Sequence, residues 1–452
     1  MIEMNEPRHP DAGRLRAWLR IAAVLGIAGA AACDGIFDVD NPNDLVQEDL
    51  EQPSASTALV NGAEATVARG LNDIVLAISV ATDELTWRGT YDAGRELDEG
   101  FLSNPVNEFS NAEAWGTFSE GRFMADEAVR LMEGWAADGR LSQPAHLVRA
   151  YLYSAIMYVA AADYWDEFVI SDRKDPAPPI AADAMSQLYD TAIDRLTRGL
   201  AIARSIGDAG LEAATLGMRA RAHFAKAVWE KLNPPGTTPA DPLVASAAAA
   251  ADAEAALALV GPDWKYQFQY GATTVSSQLG SWINSRQEFR VDTAYGVPNA
   301  AGNRITAVAL SDPIDGVPDA ALNAALTEFG AFDATTQLYP PFTIVSAREL
   351  HLIAAEVALA NGDEATASAH INAVRALNGR TPYSGQIPIL DLLLHERRVN
   401  LFLQGRRLAD MYRFGIVDAR WHANSDARTR PGTFFPIADD EIKSNCFVTG
   451  TC

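Results

Sequence analysis

The sequence predicts a mostly α-helical fold of helix pairs stacked one on another, with a loop-rich irregular insertion carrying a few short strands. Three observations predict it. Between residues 56 and 260 apolar residues recur at helical spacing in an alanine-rich background. Clusters of Gly and Pro cut this pattern into segments whose natural packing partners are their chain neighbours. From 261 to 345 the helical period disappears, and Gly, Pro, Thr and Asn take over.

Composition sets the outer bounds. The chain has 452 residues, 48% hydrophobic and 21% charged, a globular composition with material for about two to three domain-sized masses. With 36 basic against 59 acidic residues the net charge is −23, a field that repels phosphate backbones and excludes nucleic acid as a general partner. No apolar run reaches the roughly 20 residues a membrane-spanning helix needs. Three cysteines exclude a disulfide-dense scaffold or a cysteine-built zinc site.

At the start of the chain Arg14, Arg16 and Arg20 precede an apolar run at 21–32, the length of a signal-peptide core. Three alanines then lead into Cys33, small residues that admit a signal peptidase before a thiol placed for lipid. The segment resembles a bacterial lipoprotein lipobox, with Ala30 where a leucine-like residue is commoner; plain secretory cleavage is the rival reading. Residues 1–32 are thus read as a lipoprotein signal peptide, and the acidic, turn-rich 33–55 as a tether from the lipid anchor.

Residues 56–260 read as an N-terminal scaffold of helix pairs, with helices at 56–80, 109–135, 145–165, 185–206, 215–232 and 245–259. The breakers are the Pro-rich 175–180, Gly207 with Gly210, and the Pro-rich 233–242. In the insertion at 261–345, residues 264–270 alternate aromatic and polar, which places Trp264, Tyr266, Phe268 and Tyr270 on one face of a strand. One or two short strands are expected there, on a candidate ligand face. Residues 346–452 return to helix. Leu350, Ile353, Val357 and Ala360 line one face, Asn361 to Asp363 make a turn, and Ile371, Val374 and Leu377 point inward from a second helix that Gly379 stops. This is the physics of a tetratricopeptide-type hairpin, although no strict sequence repeat runs along the chain.

The segment 391–413 holds five arginines and three acids in an acidic chain. Asp410 stands three residues after Arg407 and three before Arg413, within reach of both on one helical face, and Glu396 can pair with nearby arginines such as Arg397. A catalytic acid or anion site is one reading. A buried ion network is the favoured one, since the planar guanidinium suits several partners at once. His395-Glu396 lacks the second histidine of a zinc-protease helix, where Val399 stands, and no other histidines pair at ligand spacing. No nucleophile elbow occurs, and none of the five lysines follows a glycine as a phosphate loop requires. Neither an enzyme, a metal nor a cofactor is expected. Cys446 and Cys452 can close a small loop in an oxidising compartment, with two free thiols as the alternative.

Three stretches resemble the C-terminal signature of SusD/RagB-like lipoproteins: 346–379, 392–415 and 434–445. Glu356, Glu396, Arg397, Arg398, Gly405, Arg407, Asp410 and Arg413 fall on that pattern, as do Phe435, Pro436, Ile437, Glu441, Ile442 and Asn445. Asn400 and Gln404 depart from it where acids are usual, and Ala438 replaces a second proline. The resemblance implies a SusD-like helical fold and an outer-membrane lipoprotein facing outward. It also implies a SusC-like TonB-dependent transporter as partner and a captured nutrient oligomer, oligosaccharide before peptide. Rings in irregular segments are the ligand candidates: Trp87, Tyr91, Trp264, Tyr266, Trp282 and Tyr295, each with core packing as its rival role. Trp115, Trp135, Trp165 and Trp229 lie in helices and read as core. The alternative for the whole chain is a helical-repeat scaffold that binds only protein.

Overall fold

The computed structural model describes residues 47–172, 175–332 and 337–452. The signal-peptide segment, Cys33 and most of the tether lie outside the described residues. One helical turn, Gln47–Leu50, ends the first of two units, and the second spans Pro53–Cys452.

In chain order the α-helices of seven or more residues in this second unit are α1 (Ser56–Val80), α2 (Asp92–Asp98), α3 (Ala114–Ala137), α4 (Pro144–Tyr164), α5 (Ser186–Ile206) and α6 (Ala209–Leu232). They continue with α7 (Ala247–Leu257), α8 (Ala320–Phe329), α9 (Ala347–Ala360), α10 (Glu364–Leu377), α11 (Ile389–Asn400) and α12 (Arg407–Arg413). The long helices pack in succession: α1 on α3, α3 on α4, α4 on α5, α5 on α6, α6 on α7, α7 on α9, and α9 on α10. The fold is therefore mostly α, with tetratricopeptide-like helix pairs.

Local chemistry explains the element ends. Asp208 accepts the Leu211 N–H at 2.9 Å and starts α6, six residues before the Thr215 expected from the sequence. Gly210, taken as a breaker, sits in the first turn, where backbone N–H groups have no helical partner to lose. Ser346 caps α9 through the Glu349 N–H at 3.2 Å, and Asp363 caps α10 through Thr366 at 3.0 Å. Pro144 opens α4, a first-turn position that suits its missing N–H. Close crossing of α1 and α3 depends on Gly70 and Gly121, where an added Cβ would lie 2.7 Å and 2.8 Å from the other helix's backbone.

Helix α9 is buried on two sides. Leu350 faces α6 near Gly217, while Leu352 and Ala355 join Ile371 and Val374 of α10 and Leu392 and Leu393 of α11 in one core cluster. Burying such a side chain contributes about 1.5–3 kcal/mol, so this hairpin holds by packing. Ala360 and Leu377, expected on the inner faces, are only half-buried.

The insertion is more ordered than its sequence predicts. Strands β1 (Leu85–Trp87), β2 (Phe168–Val169), β3 (Pro179–Ile180), β4 (Lys265–Phe268), β5 (Phe289–Val291), β6 (Gly296–Pro298), β7 (Ile305–Val308) and β8 (Phe342–Ser346) form four antiparallel pairs: β1–β5, β2–β3, β4–β8 and β6–β7. Four of these strands, all but the last residue of β8, and helix α8 fall within 261–345, where one or two strands were expected. Asp319 caps α8 at the Leu322 N–H, 2.8 Å away.

Candidate functional site

The charged segment 391–413 is two helices rather than one. The chain turns between α11 and α12 through positive φ at Leu403 and Gly405. That break redirects Arg407, which reaches back to Asp83 with two contacts of 2.7 Å instead of pairing with Asp410. Arg397 takes the expected place, gripping Asp410 at 2.8 and 3.0 Å. Arg413 closes the ring, 2.6 Å from Asp410 and 2.5 Å from Glu356, with Arg397 also 3.5 Å from Glu356. Phe224 lies against both guanidinium groups. All four charged residues are buried. Burial alone would raise the Asp410 carboxyl, but Arg397 and Arg413 more than reverse this and hold it at about 2. Glu396 belongs elsewhere, accepting from Arg375 at 2.9 Å and from the Asn400 side-chain amide at 3.0 Å.

Asp312, Asp319 and His395 come close enough to suit a metal, a constellation that no local spacing could reveal. The buried Arg375 guanidinium already donates to both oxygens of Asp312, at 2.8 and 3.1 Å, while His395 contacts Asp319 at 2.8 Å. A cation is thus built in.

The ring candidates separate into three places. Tyr295 is wholly buried, its hydroxyl 3.2 Å from Asp83 and Arg398 stacked 4.6 Å over its ring, so it offers no face to a ligand. Tyr266 and Phe268 run along β4 toward α4, with rings 6.2 Å apart and Phe268 6.0 Å from Tyr153. A register shift between Tyr266 and Gln267 interrupts the alternation, and strand pairing covers only 265–268 of the predicted 264–270. Trp264 lies just before the strand, half-buried, and Tyr270 donates to Ala68 O at 2.8 Å. This stripe mainly covers helices. Trp115, Trp135 and Trp165 are core, while Trp229 is half-buried.

Tyr91 and Trp282 are in ring contact, and Trp87 is joined to Tyr91 through Glu288. β1 pairs with β5, setting Trp87 opposite Phe289 and Thr86 opposite Arg290. Glu288, buried, accepts from Trp87 Nε1 at 2.9 Å and from the Tyr91 N–H at 2.7 Å, which fixes the 88–91 turn. Gly89 leaves room for that carboxylate, since a Cβ there would lie 1.9 Å from it. Two π-helical turns, Glu108–Glu113 and Gly280–Ser285, bring in Phe109 and Trp282, the kind of irregularity that gathers at functional sites. Tyr91 meets Trp282 edge to face at 5.5 Å, and Phe109 meets Trp282 and Phe289 at 5.0 Å each. Trp282 is buried at the base; Trp87 and Tyr91 are half-buried. Over them lies the exposed Arg286, 3.9 Å from the Trp282 ring centre and 3.0 Å from the Tyr91 hydroxyl. Sequence reasoning missed Arg286 and Arg290, because nothing local distinguishes them from solvated surface arginines.

Cys446 and Cys452 are joined as a disulfide, with Cα atoms 4.9 Å apart.

Comparison with known proteins agrees with this architecture. Residues 348–446 match the model of the SusD family, the segment that holds the Glu356–Arg397–Asp410–Arg413 ring. A SusD homolog from Bacteroides thetaiotaomicron superposes with a TM-score of 0.60 at 12% identity, covering 88% of this chain and 97% of that one. A SusD superfamily protein from Bacteroides fragilis gives 0.58 at 15%, with 88% and 99% covered. A B. fragilis protein described as SusD-like and carbohydrate binding gives 0.52 at 12%, with 79% and 87% covered. No curated protein sequence matches the chain. The C-terminal segment thus matches the SusD family model, and the chain as a whole shares the fold of SusD superfamily structures.

Proposed function

We propose that this protein is a non-enzymatic, nutrient-binding lipoprotein on the outer face of a bacterial outer membrane. Cys33 carries the lipid, the helix pairs form the scaffold, and the face built by 87–91 and 282–290 captures an oligomer, a glycan before a peptide. The cargo then passes to a SusC-like TonB-dependent transporter. The observation that carries the reading is the gathering of two half-buried rings, Trp87 and Tyr91, around Glu288, with Tyr91 resting on the buried Trp282. Such rings stack on the apolar C–H faces of sugars. The carbohydrate-binding description of the B. fragilis structure supports the choice of glycan.

The test is purification of the native protein from detergent-extracted membranes, with mass spectrometry of what it retains. The expected result is a large TonB-dependent barrel in near-equal amount, and release of a Cys33→Ser variant into the soluble fraction. Recovery of the barrel without any glycan binding would favour the protein-binding scaffold instead. A soluble wild-type protein with no barrel would sink the reading.

A further inference from the structure

We propose that the oligomer bound at the Trp87–Tyr91–Trp282 face is an acidic oligosaccharide, its carboxylate or sulfate groups held by Arg88, Arg286 and Arg290. The inference rests on the binding role proposed above and names the chemistry of the ligand.

The argument begins with what the other arginines do. Arg149, Arg195, Arg198 and Arg398 each lie over a tyrosine ring, and each pairs with a carboxylate: Glu64, Asp126, Glu133 and Asp83 respectively. Arg286 lies over two rings, Trp282 and Tyr91, and its hydrogen-bond partner is a neutral hydroxyl. Among the described residues it has no ion pair, and neither do Arg88 and Arg290.

Arg290 carries the stronger signal. Its Nε is buried with no hydrogen-bond partner, and it lines a small cleft with Arg304, Asn284, Asn303 and Gly302. Burial, together with the charge of Arg88, lowers its affinity for its proton. Arg88 and Arg290 thus repel one another, and neither has an ion pair among the described residues.

Local acids do not answer them. Glu288 is engaged by Trp87 and Tyr91, Asp92 contacts Arg95 at 3.3 Å, and Asp292 pairs with Arg420. Glu113 acts on Arg286 through space, with neither a hydrogen bond nor an ion pair between them among the described residues. The net charge of −23 does not forbid an anion here. Exposed charges are screened beyond about 10 Å at 0.1 M salt, whereas guanidinium–carboxylate contacts form at about 2.8 Å and are often bidentate. Arg286 over Tyr91 and Trp282, and Arg290 in the cleft lined by Asn284, two residues on from Trp282, suit uronate or sulfated units along one oligomer.

The test uses the full mature protein in affinity gels cast with three groups of polymer. Polygalacturonate, alginate and chondroitin sulfate are the acidic glycans, amylopectin, xyloglucan and galactomannan the neutral ones, and poly-L-glutamate the acidic peptide. Retention on an acidic glycan is expected. It should weaken about tenfold with a tenfold rise in NaCl, and about tenfold in Arg286→Ala and Arg290→Ala. Arg198→Ala, which removes a stacked but matched arginine, should leave it unchanged. Retention on neutral glycans alone, or acidic retention indifferent to Arg286 and Arg290, overturns the inference and leaves the proposed function standing. Retention on poly-L-glutamate alone overturns the glycan assignment. Retention on none, with the barrel still recovered from membranes, overturns the inference and glycan capture together while leaving the transporter partnership.

Discussion

At the junction of α9, α11 and α12, Arg397 and Arg413 are buried and share two carboxylates, Asp410 and Glu356. On the loop face, Arg286 and Arg290 meet rings, amides and the field of Arg88, with no carboxylate in contact. Residue type is the same; the matching differs. A buried guanidinium without its acid would carry several kcal/mol of desolvation cost, so the junction tolerates arginine only as part of a closed ring. Arg286, exposed, keeps its water, and Arg290, only half-buried, keeps part of it, so both can stay unmatched until a ligand arrives. Matched arginines hold the helices together, and unmatched ones leave the loop face receptive.

The sharpest way to break this contrast is Arg413→Ala. It leaves the Glu356 charge at the buried centre with only the longer contact to Arg397 and the Val244 N–H at 3.2 Å, so a loss of about 3–5 kcal/mol is expected. Urea denaturation monitored by far-UV circular dichroism would read it as a large drop in midpoint. A loss under about 1 kcal/mol would place the junction with ordinary surface pairs and erase the distinction.

A smaller effect comes from two adjacent acids that divide along the same line. Asp83 is matched: burial works against its charge, but Arg407 and Arg398 pull its carboxyl below the ordinary value. Glu84 is buried with no ion pair among the described residues. Burial pushes its carboxyl up to about 7, and the Leu403 N–H at 2.8 Å offsets this only in part. The folded chain therefore holds the Glu84 proton up to about pH 7, while the unfolded chain releases it near the ordinary 4.5. Between those values the folded state binds more protons, so this group's stabilisation is complete below pH 4.5 and is lost as pH rises through 7. At about 1.4 kcal/mol per pH unit the slope amounts to roughly 3 kcal/mol. Glu84→Gln keeps the acceptor for Leu403 and should remove this share of the decline in stability between pH 5 and 8, leaving the share of Asp98, whose carboxyl is likewise raised to about 7. An unchanged profile would mean that Glu84 is charged and matched by a group not in contact with it here.

How much of this was legible follows from the range over which each feature is determined. The helix pairs could be read because amphipathic periodicity and turn residues act within a dozen positions. The Asp410–Arg413 pair was readable for the same reason, being three residues apart on α12. Its expected mirror, Arg407, was misassigned because the turn at Leu403 and Gly405 is a tertiary requirement that helical spacing does not see. The loop face was half legible. Trp87, Tyr91 and Trp282 were candidates as rings in irregular segments, but nothing local could bring residue 282 to residue 91. Nor could it show that Tyr295 lies under Arg398. Alternation at 264–270 was visible, but not that its rings cover helices.

Arg398 and Arg286 provide the finest test. Arg398 combines both designs, stacked 4.6 Å over Tyr295 and 3.2 Å from Asp83. Because Asp83 keeps its two contacts with Arg407, Arg398→Ala strands no charge and should cost only about 1 kcal/mol, the scale of a partly exposed pair. Arg286→Ala removes an exposed side chain that has no ion pair among the described residues, so its unfolding midpoint should stay within about 0.5 kcal/mol of the parent. The two variants then cross over: Arg398→Ala lowers stability without touching retention on acidic glycan, and Arg286→Ala lowers retention without touching stability. If Arg286→Ala unfolded as easily as Arg398→Ala, its stacking on Trp282 would be holding the loops, and that arginine would belong with the matched, structural set.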